Sequence, residues 1–263
     1  MIVLAAIVPH SPLLAPTIGK EHREKLADTL KAFEALAESL YLAKPDTIVM
    51  LSPHAPMYPD SFSGNIAPSF KGSLKEFGDH GTELPIKADF LLLDHIHRHM
   101  RDHQTPFTLT SAEELDYATT IPLMFLIKGL PTVKLVPIGM SGLDIQQHYA
   151  FGEELKNVVH AESRRVAIIA SADLSHAAST ESPEGVTEQG MTFDKTMRAQ
   201  AITLDAAGML AMDPAMLEQA KQSGHKPIVM LMGCLKDMNC KAKELSYEAP
   251  FGVGMMTVRY DLA

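Results

Sequence analysis

Four short segments of the chain are apolar almost without a polar break: IVLAAIV (2–8), TIVMLS (47–52), VKLVPIG (133–139) and VAIIAS (166–171). They are rich in β-branched residues and bounded by Pro, Gly or Ser, the pattern of strands buried on both faces. Between them the period changes. In residues 21–46, Leu26, Leu30, Phe33, Leu36 and Leu40 recur three or four apart and draw one apolar stripe opposite charged positions, which predicts a helix ended by Pro45. The same spacing predicts helices near 86–102, 119–129, 143–160 and 190–208, and two shorter ones between 213 and 236. The closing FGVGMMTVRY reads as a last strand whose glycines allow close backbone approach.

Alternation of buried strands and amphipathic helices implies an α/β fold, with a central, mostly parallel sheet flanked by helices on both faces. Residues 55–85, rich in Pro, Gly and Ser, are too irregular for a crossover helix and predict an excursion or lid with a short hairpin. No repeat or compositional boundary divides the chain, so one domain over 1–263 is expected.

The 263 residues are 46% hydrophobic and 21% charged, ordinary for a globular chain, with a formal net charge of -9. That charge repels phosphate backbones and anionic lipid, so neither nucleic acid nor membrane is an expected partner. MIVLAAIV has no positive segment before it and Pro9 interrupts it, which argues against a signal peptide or a span. The two cysteines, in GCLKDMNC (233–240), fit neither a redox pair nor a zinc knuckle. Reduced thiols and a cytoplasmic location are expected. Sixteen methionines cluster in runs such as IVMLMG and read as core filler.

Candidate chemistry enters through three histidines. His10 follows the first apolar run, His54 the second, and His176 the fourth, in SADLSH. Open α/β sheets bind ligands just beyond the carboxyl ends of their strands. One such histidine could simply bond backbone groups at a strand end, but three at equivalent positions point to a shared site. Imidazole is both the commonest ligand of iron, zinc, copper or nickel and the usual proton shuttle near neutrality.

VPHSPLL (8–14), DTIVMLSPHAP (46–56), LDYATTIPLMFL (115–126), IIASADLSH (168–176) and the GVG of the closing strand occur in an order that resembles class III extradiol ring-cleavage dioxygenases of the protocatechuate 4,5-dioxygenase, or LigB, type. The chain also resembles the related Memo proteins. The resemblance implies that His10 and His54 hold a non-haem Fe(II), with Zn(II) as an alternative, and that His176 is the acid/base. It implies a small catechol-like aromatic and O2 as reaction partners, and a homodimer. A Memo-like protein with a redox or partner-binding role and no ring cleavage is the alternative.

Two departures from the pattern stand out. The dioxygenases carry Asp-His-Gly where this chain has Asp116, Tyr117 and Ala118, and a phenol of ordinary pKa near 10 is a poor base at neutrality. Their third ligand, a Glu, or a Cys in Memo, aligns with Gln222 or Ser223 of QSGHKPI, neither of which is a strong anionic donor. His225 and Glu248 are the substitutes at hand. Asp173, three residues before His176, either orients a site histidine or caps the strand end.

Elsewhere, DHIHRHMRDH (94–103) places His95, His99 and His103 on one helix face, with His97 off it. Two imidazoles four apart can chelate a metal, yet the flanking Arg98, Arg101 and Asp102 favour a solvated surface helix. A serine nucleophile in SADLS is disfavoured because no GxSxG elbow surrounds Ser171 or Ser175.

Overall fold

The computed structural model describes residues 1–182 and 185–262. Its strands are β1 (Ile2–Val8), β2 (Thr47–Ser52), β3 (Phe62–Asn65), β4 (Ser69–Leu74), β5 (Asp79–Ala88), β6 (Phe107–Thr110), β7 (Glu114–Leu115), β8 (Lys134–Gly139), β9 (Val166–Ser171), β10 (Cys240–Glu248) and β11 (Met255–Leu262). The helices are α1 (Pro16–Gly19), α2 (Ala27–Ala43), α3 (Phe90–Asp102), α4 (Tyr117–Leu126), α5 (Ile145–Ala161), α6 (Glu188–Thr203), α7 (Ala206–Leu210), α8 (Pro214–Gln219) and α9 (His225–Cys234).

One mixed sheet runs β10-β11-β1-β9-β2-β8-β5-β4-β7. The four segments read as doubly buried strands form its parallel centre, β1-β9-β2-β8. Their side chains alternate between two cores. Ile7, Val49, Leu51 and Ile168 face α3, α5 and α9, while Val8, Ile48, Met50 and Ile169 face α2 and α4. Both faces are therefore covered, and in β2, β8 and β9 only Lys134, at the start of β8, is exposed. Packing also holds α2, which has no side-chain cap of its own. Phe33, Leu36 and Leu40 are fully buried on it, each contributing about 1.5–3 kcal/mol, against ~1 kcal/mol for a cap.

The sheet departs from the expected pattern at its edges. β11 runs antiparallel to β1, and β10 antiparallel to β11. β10 (CKAKELSYE) is half exposed and alternates lysine with apolar residues, the signature of an edge strand rather than of a buried run. The excursion at 55–85 contains the expected hairpin, β4 against β5, turning over Gly78 at φ 81°. The helix expected from 86 begins at Phe90 instead, because β5 extends to Ala88 and the Asp89 side chain caps Leu92 N–H. The helix expected over 190–208 breaks at Leu204, left-handed at φ 55°, and restarts behind the Asp205 cap as α7.

Candidate metal and substrate site

Because β9 lies between β1 and β2, the ends of three strands are neighbours. Val8 is level with Ser171, and Leu51 with Ala170. The loops after β1 and β2 each deliver a histidine two residues on, and the His10 and His54 rings meet edge to face with centroids 5.1 Å apart. The loop after β9 is tied to the loop after β1 by the His10 N–H, which donates to Asp173 Oδ1 at 2.8 Å. Gly224 permits the close approach of the α9 start, since a Cβ there would stand 2.6 Å from the Asp173 carbonyl oxygen.

The orientation of His10 is fixed by a chain of hydrogen bonds that begins at a proline. Pro122 lies inside α4 and has no N–H to give the carbonyl four residues back. That carbonyl, Ala118 O, instead accepts the Ser171 hydroxyl at 2.6 Å. Ser171 has one proton and spends it there, so toward His10 Nδ1, 3.0 Å away, it can only accept. His10 therefore carries its proton on Nδ1 and leaves Nε2 with a bare lone pair. Burial, followed by the neighbouring His54, holds its pKa well below the ordinary histidine value, so the ring is neutral at pH 7. Around Nε2 stand Asp173 Oδ2 at 3.6 Å and Ser223 Oγ at 3.5 Å, too distant to consume the lone pair in a good hydrogen bond.

His54 is more exposed, and burial lowers its pKa as well. Its loop is anchored through Ser52, whose hydroxyl donates to Asp116 Oδ1 at 2.7 Å. Asp116 in turn caps α4 by accepting from Thr119 N. The next residue, Tyr117, stands with its hydroxyl 2.9 Å from His54 Nε2. Burial, then the carboxylates of Asp173, Glu76 and Asp116, push its phenol up to about 12, so Tyr117 stays protonated and donates. Phe77 from the excursion packs edge-on against this ring at 5.1 Å.

His176 ends the same loop as Asp173. Among the described residues, its Nε2 is enclosed and has no hydrogen-bond partner. Ser175 is no nucleophile: its hydroxyl donates to Ala220 O and accepts from Ala177 N, both at 2.9 Å.

The remaining candidates divide. Ser223 reaches His10, whereas Gln222 Oε1 is taken by the His225 N–H at 2.8 Å. His225 lies away from this meeting point, buried, with Nε2 donating to Met209 O at 2.9 Å. Glu248 does not swing toward the histidines either. Its Oε1 accepts Thr29 N at 2.8 Å and supplies the cap that α2 lacks. The anionic donor beside His10 is Asp173, whose carboxyl burial pushes upward. Two imidazoles and a carboxylate suit Fe(II) or Zn(II). Sequence reasoning missed Ser171 and Pro122; the signals were a serine closing an apolar strand and a proline within an apolar helix.

A cavity of about 450 Å³ opens beside these groups, lined by Pro53, Met57, Met140, Leu217, Ser223 and Lys226 among others. A larger cleft of about 540 Å³ lies near Phe70, Ile86 and Val133; the smaller one borders the histidines through Pro53, the neighbour of His54, and Ser223, whose Oγ is 3.5 Å from His10 Nε2. Among the described residues no helix is long and apolar enough to cross a membrane.

Residues 4–258 match the family described as the catalytic LigB subunit of aromatic ring-opening dioxygenase. A protein of Clostridium acetobutylicum is 27% identical over 257 residues, covering 94% of this chain; the chain spans only about half, 55%, of that relative. A 2,3-dihydroxyphenylpropionate/2,3-dihydroxicinnamic acid 1,2-dioxygenase of Mycolicibacterium gilvum is 26% identical over 220 residues, 81% of this chain and 67% of its own. The crystal structure of an uncharacterised Escherichia coli K12 protein superposes with a TM-score of 0.66 at 16% identity, covering 98% of this chain and 99% of that one.

Proposed function

The chain belongs to the family of catalytic LigB subunits of aromatic ring-opening dioxygenases, and from that premise we propose that it is a non-haem Fe(II)-dependent, extradiol-type dioxygenase acting on a catechol-like aromatic. His10 and His54 are the metal ligands in this reading, Asp173 the nearby anionic donor, and His176 the acid/base. The observation that carries it is the bare Nε2 of His10, which the Ser171 hydroxyl holds in the ligating tautomer. Ligating histidines typically donate their other ring N–H in this way.

When bound, Fe(II) would supply Lewis acidity toward two catechol oxygens and an electron relay from the ring to O2. The chain's own residues do the rest. The cavity beside Ser223 takes the aromatic ring against Pro53, Met57, Met140 and Leu217. His176 Nε2, enclosed and without a partner among the described residues, takes up a hydroxyl proton from the substrate. Tyr117, held protonated, cannot serve as a base and instead offers a hydrogen bond. One catechol and one O2 are consumed, and both oxygen atoms end in the ring-opened product. The free thiols of Cys234 and Cys240 support a reducing compartment such as the cytoplasm.

A second reading, a Memo-like metal-binding protein without ring cleavage, is favoured by the Tyr117 hydroxyl on His54 Nε2 and by neutral Gln222 and Ser223 at the third-ligand position. Anaerobic Fe(II) loading followed by a panel of catechols and O2 separates the two. A yellow ring-fission product is expected, and its absence across the panel would establish the second reading over the first. His10→Ala and His54→Ala are each expected to abolish stoichiometric iron in the untagged protein.

A further inference from the structure

A second group of metal-ligating side chains bridges two helices on the surface. His99 and His103 lie four residues apart on α3 and its C-cap, and their rings stack with centroids 4.0 Å apart at 26°. Glu154 of α5 faces them, with Oε2 2.6 Å from His99 Nε2. Among the described residues, this is the group of three His, Cys, Asp or Glu whose ligand atoms all lie within 4.8 Å of one another. The His10, His54 and Asp173 side chains are not gathered so closely.

The tautomer of His103 is already set. Its Nδ1 is 2.9 Å from the His99 carbonyl, which can only accept, so the proton sits on Nδ1 and the lone pair on Nε2 is free. Glu154 is held from a second side by Asn157 Nδ2 at 3.4 Å. Tetrahedral bonds of about 2.0–2.1 Å put ligand atoms roughly 3.4 Å apart. The ligand atoms already lie within 4.8 Å of one another, and side-chain torsions can bring them to that spacing, opening the 2.6 Å His99–Glu154 contact, because His103 is exposed and His99 and Glu154 are half-buried.

We propose that His99, His103 and Glu154 form a second, independent site for a late first-row divalent cation, zinc foremost, with water as the fourth ligand. Two imidazoles and one carboxylate are borderline donors that suit zinc and rank it above magnesium or manganese. Since the ligands come from α3 and α5, the ion staples the two helices together and stabilises the folded chain by mass action. The proposal does not depend on what the His10 and His54 site does.

Zinc titration of untagged protein against a colorimetric chelator tests it, in the wild type and in the His10→Ala/His54→Ala variant. The double variant is expected to keep one zinc equivalent. Adding His103→Ala or Glu154→Gln to it should weaken that equivalent by at least about tenfold. His97→Ala, whose ring packs toward Phe107 on another side of α3, should leave it unchanged. Zinc should also slow amide hydrogen exchange at the C-terminal turn of α3. Zinc binding indifferent to both His103→Ala and Glu154→Gln, or no equivalent retained by the double variant, would overturn the assignment. The exchange measurement locates the ion even if one variant loses stability.

Discussion

Replacing Ser171 with alanine removes one oxygen atom from a fully buried strand end and breaks two hydrogen bonds at once, to Ala118 O and His10 Nδ1. Each buried partner left unsatisfied costs about 1–3 kcal/mol, so the variant should lose ~2–4 kcal/mol. For a chain of this size that corresponds to a fall in Tm of about 5–15 °C. The second consequence is chemical. Without its acceptor, the His10 proton is no longer confined to Nδ1, and the Nε2–H tautomer, which cannot ligate, becomes populated. Loss of such an orienting partner typically weakens metal binding about 10–100-fold. Pro122→Ala approaches the same relay from the other end. It gives Ala118 O an intrahelical N–H and competes with the Ser171 hydroxyl, while removing no buried polar atom. Its iron affinity should fall by less, and its stability should not fall with it. Nitrogen-15 NMR of the His10 ring reads the tautomer directly, and anaerobic Fe(II) titration reads the affinity. A wild-type His10 protonated on Nε2 would refute the relay, whatever the affinities.

Tyr117→Phe removes the hydroxyl from His54 Nε2; iron stoichiometry should be retained while ring-cleavage turnover falls, and loss of bound iron would show that the phenol helps hold the site instead. Asp194 accepts Ser175 N–H and the Tyr247 hydroxyl, and burial pushes its pKa up from 3.8 to about 6. The native group then keeps a proton that the unfolded chain releases near pH 4, so its stabilising contribution is full below pH 4 and is lost as pH rises through 6. Asp194→Asn lacks that component, and its stability relative to wild type, measured by urea denaturation at pH 4 and pH 7, should rise by up to about 3 kcal/mol between them; an unchanged difference would contradict the burial argument.

Much of this protein was written locally. Strands buried on both faces admit few polar positions, so β1, β2, β8 and β9 announce themselves as apolar runs. The helix stripe at Leu26, Leu30, Phe33, Leu36 and Leu40 follows from the same burial. That His10, His54 and His176 follow the ends of neighbouring parallel strands was legible, because the apolar run before each of them is one of those strands. β10 was not, because an edge strand with one solvated side mixes lysine into its pattern. Neither were the parts of the site that depend on which strands become neighbours. That β9 separates β1 from β2 is a matter of long-range pairing, and only this order brings Asp173 to the His10 amide and Ser171 to its ring. Only the crossing of α4 over the sheet lets a carbonyl freed by Pro122 decide which nitrogen of His10 carries a proton. The sequence names the groups that can do chemistry, because residue type and period are local properties. Their tautomers, pKa directions and partners arise from contacts between segments 53 to 213 residues apart, which no local pattern encodes.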